Sequence, residues 1–216
     1  AVIDAIGYIF DLDGVITDTA EYHFRSWQRL AQELGIPFDR HDNEALRGVP
    51  RRRSLELVLK GRELPEDEMQ RLMARKNAYY REFLHDITPS DLLPGVGEFL
   101  AEARALGVVL GLGSASKNAR DVLEQLQITG LFSAIGDGYS VVNQKPAPDL
   151  FVWVAGRLDL PPDRCVVFED AQAGIDAAKA GGFRTVGIGP AERVGHADRV
   201  VDGLHALKAR DCLPSL

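Results

Sequence analysis

Apolar residues along this 216-residue chain recur in two rhythms: short unbroken runs, and longer stretches with apolar positions three or four apart. The first run, Ala5-Ile6-Gly7-Tyr8-Ile9-Phe10, is rich in β-branched and aromatic residues and ends at an Asp-x-Asp-Gly, which predicts a buried strand. After Asp18 the rhythm turns helical and stays so to about Leu84. Ala20, Phe24, Trp27, Ala31 and Leu34 share a helical face that Gly35 closes. Leu55, Val58 and Leu59 mark a shorter helix, and Met69, Leu72, Met73, Tyr80 and Phe83 a longer one entered through Pro65. Helix and strand alternate from there. Val96 to Leu106 and Val122 to Leu126 predict helices. Val108 to Leu112, Ala134-Ile135, Cys165 to Phe168, Thr185 to Ile188 and, weakly, Val200-Val201 predict strands, with helices opened by Pro148 and closed by Gly181-Gly182 between them. This alternation predicts an α/β fold, a doubly wound and mostly parallel sheet covered on both faces. The first strand then joins the C-terminal part. Residues 1–16 and 91–216 form the core, and residues 17–90 form an all-helical cap inserted behind that strand.

Polar residues cluster where the strands end, the edge at which open α/β sheets hold ligands. Asp11 and Asp13 follow the first strand and read either as a polar strand exit or as a nucleophile and a proton-handling acid, brought together by a turn at Gly14. Ser114, Ala115, Ser116, Lys117 and Asn118 follow the second strand; they read as plain helix capping or as an oxyanion cradle of hydroxyls and free backbone N–H groups. Lys145, beside the stiff prolines Pro146 and Pro148, is either solvated or a fixed charge against phosphate. Glu169 and Asp170 close the fourth strand, and with Asp11 they offer hard oxygen ligands suited to Mg²⁺.

These four clusters resemble the four motifs of the haloacid dehalogenase superfamily of phosphotransferases, along the whole chain and with a helical cap after the first motif. The segment Phe10 through Trp27, Gly48-Val49, Arg51, Ser54, Arg75-Lys76-Asn77, Ser114 through Asn118 and Glu169-Asp170 are similar to the β-phosphoglucomutase family within it. That resemblance implies a Rossmann-like core and a set of roles. Asp11 is the nucleophile that carries an aspartyl phosphate, and Asp13 is the acid and base for the sugar oxygens. Ser114 and Lys145 donate to the transferring phosphoryl. Mg²⁺ is held by Asp11, Glu169, Asp170 and the backbone carbonyl of Asp13. In the cap, Arg51 grips the distal phosphate, His23 partners Asp13, Trp27 joins the sugar site, and Thr19 braces Asp13 at the hinge. Gly48, Val49, Ser54, Ala115, Ser116, Lys117 and Asn118 complete the substrate-binding set.

Several cap residues carry a plainer reading beside that one. Arg47, Arg51, Arg52 and Arg53 crowd into seven residues, and a solvated basic face suits Arg52 and Arg53. His23 and Trp27, four apart on one helix face, suit a core pair. Lys76 falls on the stripe of Met69, Leu72, Met73 and Tyr80, where a charge is rare; it either snorkels to solvent or faces the cleft to reach the sugar or its phosphate. Pro50 and the basic pair Arg52-Arg53 depart from the family pattern around Arg51, which leaves the loop's shape open.

Charge and cysteine content narrow the function. A formal charge of −7 argues against nucleic acid and anionic membranes as partners. Ala1-Val2-Ile3-Asp4 lacks the regions of a secretion signal, and Cys165 and Cys212 lack metal or redox spacing, so a cytoplasmic protein with reduced thiols is expected. The resemblance implies a monomeric mutase that interconverts β-D-glucose 1-phosphate and glucose 6-phosphate through a bound 1,6-bisphosphate. The alternatives are a Mg²⁺-dependent phosphatase of small sugar phosphates on the same core, and a non-enzymatic sugar-phosphate sensor. A proton-cycling acid at Asp13 has no use in dehalogenation, and a Schiff-base phosphonate mechanism wants a lysine early in the cap, which has none before Lys60.

Overall fold

A computed structural model describes residues 5–214; the expectation drawn from residues 1–4 lies outside them. Strand β1 (Gly7–Phe10) leads into the helices α1 (Ala20–Glu33), α2 (Arg40–Glu44), α3 (Arg51–Val58) and α4 (Glu66–Leu84). The sheet-forming part resumes with α5 (Val96–Ala105), β2 (Val109–Gly113), α6 (Ala119–Gln125), β3 (Ala134–Gly136) and α7 (Asp149–Arg157). It finishes with β4 (Cys165–Glu169), α8 (Gln172–Ala180), β5 (Arg184–Ile188), α9 (Ala191–Val194) and β6 (Arg199–Val201). The strands form one parallel sheet in the order β3-β2-β1-β4-β5-β6, the expected doubly wound class.

β1 sits in the middle of this sheet and is buried on both faces, which is why its sequence runs apolar without alternating. Tyr8 and Phe10 point into one core layer, where Phe10 stacks on Phe168 at 4.7 Å between ring centroids; Ile9 points into the opposite layer with Phe151 and Val167. A separate apolar cluster lies inside the helical insert, built from Phe24, Trp27, Leu30, Leu55, Val58, Leu72, Met73 and their neighbours. The stripe on α4 divides between the two: Met69, Leu72 and Met73 face the insert's core, whereas Tyr80 and Leu84 belong to the sheet's core. Phe83 leaves the stripe, half-buried against Tyr22.

Two short helices were not expected. α2 has no apolar periodicity and is held by a capping box between Asp39 and Asp42; α9 is a single turn. Pro50 settles the shape of its loop by opening α3 in extended geometry, with Arg51 as the first helical residue. The chain crosses between sheet and insert twice, at adjacent points. Thr17 bridges to Leu92, its hydroxyl donates to the Asp91 carbonyl at 2.7 Å, and Leu93 N–H donates to Ile16 O at 2.9 Å.

Candidate active site

The turn after β1 sets the site. The Leu12 carbonyl accepts from the N–H groups of Val15, Ile16 and Thr17, while Gly14 adopts φ +81°. A side chain at Gly14 would meet Asp170 Oδ2 at 2.0 Å, so glycine is needed both for its backbone and for room. The turn lets Asp11 and Asp13 serve one cavity of about 540 Å³ between sheet edge and insert.

At the sheet end of this cavity, one ligand oxygen each from Asp11, Glu169 and Asp170 lies within 4.8 Å of the others, and all three residues are buried. Lys145 Nζ donates to Asp11 Oδ1 at 3.2 Å, to Glu169 Oε2 at 2.7 Å and to the Gly113 carbonyl at 3.0 Å. Burial alone would lower the Lys145 pKa, but Asp11 and Glu169 overcome it and raise it. Burial, then the charge of Asp11, pushes Glu169 well above the usual carboxylate range and Asp170 up to about 7. Three carboxylates against the ammonium of Lys145 and the guanidinium of Arg47 still leave an excess of negative charge, and an all-oxygen set of this kind fits a hard divalent cation. Glu169 does not itself line the cavity: its Oε1 accepts from the N–H groups of Asp170 and Ala171, which fixes the carboxylate from behind. Gly174 packs directly on that carboxylate, and an added Cβ would lie 2.0 Å from Glu169 Oε2. Gly174→Ala is expected to destabilise the fold by about 1–3 kcal/mol through overpacking and to weaken Mg²⁺ binding, read by thermal melts with and without the cation. An unchanged melting temperature would contradict the close packing.

Asp13 stands apart from this cluster. Burial, then Asp11 and Asp170, raises its carboxyl to about 8 against the opposing charges of Lys76 and Lys145, so it holds a proton at neutral pH. Its Oδ2 lies 3.8 Å from His23 Nε2, beyond hydrogen-bond length but within reach of a small motion. Lys76 Nζ contacts His23 Nδ1 at 2.8 Å. When Lys76 is an ammonium it has only protons to give, so Nδ1 accepts and the imidazole proton is placed on Nε2, facing Asp13. Burial and then the positive neighbours Lys76 and Arg51 hold the His23 pKa well below 6.5, while burial and then Arg51 lower Lys76 to about 7. Lys76 therefore does not snorkel. It lines the cavity, buried, its Nζ lying 4.9 Å from the ring centroids of both Trp27 and Tyr80, and it contacts His23 with one of its three donor positions. Trp27 and His23 also line the cavity, and His23 stacks on Tyr80 at 4.0 Å. Thr19 is buried outside the lining beside Tyr80, and its hydroxyl makes no hydrogen bond to Asp13, so the expected brace is not formed.

The loop after β2 supplies Ser114, Ala115, Ser116, Lys117 and Asn118 to the same cavity. Ser114 Oγ accepts from Ser116 N–H at 3.1 Å, which leaves its own proton to donate. Asn118 does not cap α6 through its side chain, whereas Ser116 Oγ accepts from Asn118 N–H at 3.1 Å where the helix begins. From the insert come Gly48, Val49, Arg51 and Ser54. Gly48 has φ +71° and lies where a Cβ would press on Ala171 at 3.0 Å. Arg51 is half-buried and has no acidic partner among the described residues, whereas Arg52 and Arg53 pair with Glu66 and Glu56 at the surface as expected of a solvated face. Arg47, which composition alone did not single out for the site, reaches across to Asp170 Oδ2 at 3.2 Å.

A family model described as haloacid dehalogenase-like hydrolase matches residues 7–182. The chain belongs to this family. Within the haloacid dehalogenase-like family, it is similar to the beta-phosphoglucomutase of Bacillus subtilis, with 46% identity over 197 residues, spanning 89% of this chain and 87% of that one. A more distant relative, the phosphorylated carbohydrates phosphatase of Thermotoga maritima, is 29% identical over 180 residues, 82% of each chain. Among solved structures, a beta-phosphoglucomutase from Clostridium difficile superposes with a TM-score of 0.92 at 40% identity, covering 96% of this chain and 95% of that one.

Proposed function

We propose that this haloacid dehalogenase-like protein is a phosphomutase that interconverts β-D-glucose 1-phosphate and β-D-glucose 6-phosphate through an aspartyl phosphate on Asp11 and a bound glucose 1,6-bisphosphate. The observation that carries this reading is a single cavity with two unlike anion-binding ends. One end holds Asp11, Lys145 and Ser114; the other holds Arg51, half-buried and without a carboxylate, beside Ser116, Lys117 and Asn118. A hydrolase of monophosphates needs only the first end. A mutase needs both, because its intermediate carries a phosphate on each side of the sugar. The similarity to two proteins named beta-phosphoglucomutase supports the same choice.

In this reading Asp11 attacks the phosphoryl group, and Ser114 and Lys145 donate to its equatorial oxygens, where charge develops during transfer. Asp13, protonated at neutral pH, gives its proton to the departing sugar oxygen and takes one from the incoming hydroxyl. Neutral His23, oriented by Lys76, steadies the Asp13 carboxyl from the insert side. Trp27 and Val49 enclose the sugar, and Gly48, Ser54 and Ala115 shape the walls so that water is excluded. Asp11, Glu169 and Asp170, with the backbone carbonyl of Asp13, would hold Mg²⁺, which when bound neutralises the clustered acids and lets an anionic nucleophile approach an anionic phosphate.

The proposed division into a core, residues 1–16 and 91–216, and a cap, residues 17–90, is supported by the separate apolar cluster inside the insert. No helix among the described residues is long and apolar enough to cross a membrane. The net charge of −7 argues against nucleic acid and anionic membranes as partners, and the proposed enzyme is a cytoplasmic monomer acting on small sugar phosphates.

The test supplies β-glucose 1-phosphate, Mg²⁺ and a trace of bisphosphate. Glucose 6-phosphate should be the main product; inorganic phosphate in its place would return the chain to the phosphatase reading. Arg51→Ala is expected to weaken glucose 1,6-bisphosphate binding by about 2 kcal/mol, roughly thirtyfold in Kd, because it removes charged hydrogen bonds to the distal phosphate. Calorimetry showing equal affinity would move Arg51 out of the site.

A further inference from the structure

Arg51 owes its setting to a residue that does not line the cavity. Its Nη2 donates to the side-chain oxygen of Asn77, on α4, at 2.9 Å. The same Asn77 Oδ1 accepts from Nδ2 of Asn118 at 2.8 Å. Asn118 in turn accepts from Arg81 Nη1 at 3.2 Å, and Arg81 pairs with Asp121 at 2.7 Å. One carbonyl oxygen thus joins Arg51 at the start of α3 to Asn118, which immediately precedes α6 on the sheet-bearing part. Arg51 and Asn118 both line the cavity; Asn77 stands behind them.

The chemistry of that oxygen matters as much as its place. Burial lowers the Arg51 pKa, so this guanidinium is already partly deprived of water. Its neighbours Arg52 and Arg53 are neutralised by Glu66 and Glu56. A carboxylate behind Arg51 would hold it equally well but would cancel the charge a phosphate must find. An amide oxygen fixes the fork and leaves its full positive charge pointing at the cavity.

We propose that Asn77 is a positioning residue that determines specificity for the second, non-reacting phosphate. Its neutral oxygen aligns Arg51 and Asn118 into one grip spanning the insert and the sheet-bearing part, and it keeps that grip cationic. This rests on the mutase reading, in which the phosphate of β-glucose 1-phosphate occupies the Arg51 end while the 6-hydroxyl is phosphorylated. Two variants separate positioning from mere structure. Asn77→Ala removes the acceptor; Asn77→Asp keeps its shape and both contacts but adds a negative charge.

Wild-type turnover of β-glucose 1-phosphate is measured first, since inorganic phosphate as its product would defeat the mutase reading alone. Asn77→Ala should then raise the KM for β-glucose 1-phosphate roughly tenfold, with kcat changed by less than about threefold. Asn77→Asp should raise KM at least as much while its melting temperature stays at the wild-type value. The Kd of glucose 1,6-bisphosphate, measured by calorimetry in an Asp11→Asn background where no transfer occurs, should shift in parallel and keeps the inference testable whatever the turnover shows. A KM and Kd for Asn77→Asp equal to wild type would overturn it, as would a loss confined to kcat.

Discussion

Asp11→Asn is expected to abolish turnover, by at least about four orders of magnitude, and to leave no phosphoryl adduct on the protein by intact mass spectrometry. Asparagine matches aspartate in shape but has no anionic oxygen with which to attack phosphorus. The loss should not come from unfolding. Asp11 is a principal cause of the raised pKa values of Glu169, Asp170 and Asp13, so removing its charge relieves repulsion among buried acids. The variant should therefore melt no lower than wild type without Mg²⁺. Lys145 keeps Glu169 and the Gly113 carbonyl as partners, so its ammonium stays anchored. Turnover within tenfold of wild type would remove Asp11 from the nucleophile's role.

Asp13→Asn is expected to lower kcat by about 10²–10⁴, the range for loss of general acid–base catalysis, while the Kd for glucose 6-phosphate changes little. The cavity separates these two effects. Asp13 faces His23, whereas in the proposed mutase Arg51, Lys117 and Asn118 hold the distal phosphate. An amide at position 13 cannot cycle a proton, yet it fills the same volume and removes no positive charge from the phosphate ends. A kcat equal to wild type would refute the proton role, and a large loss of binding with kcat preserved would recast Asp13 as a binding group.

Much of the fold is legible in the chain because each main signal is local. The apolar run before Asp11, the Pro65 entry to α4 and the glycine closures depend on neighbouring residues, and most boundaries fall within a residue or two of expectation, although α3 and α6 begin three or four residues earlier. Weakly patterned pieces are not legible: α2 is polar throughout and is fixed by Asp39 and Asp42, and α9 is too short to show a period. In the site, the four strand-end clusters converge as their order suggests, because a parallel sheet places every carboxyl end on one edge. Lys76 announced itself by breaking an apolar stripe, but its bond to His23 needed the spacing between α1 and α4. The Arg47–Asp170 contact and the Asn77 bridge were hidden for the same reason. The first joins residues 123 positions apart and the two arms of the second span 26 and 41, and nothing in a run of arginines says which one meets a buried carboxylate, which an amide and which a surface acid.

The central position of β1 also bears on how the molecule assembles. Its sheet neighbours are distant in the chain: Gly7 aligns with Val109 on one side and with Cys165 on the other. Loops of that length close slowly, and pairing so remote raises contact order and delays folding. As the polypeptide leaves the ribosome, the strand that leads into Asp11 keeps one edge bare until β2 has been made and the other until β4 has. The helical segment that follows it, rich in near-neighbour contacts, can gather itself in the meantime. Synthesis therefore completes the reactive acids' shared pocket late, once most of the sheet exists to shield it.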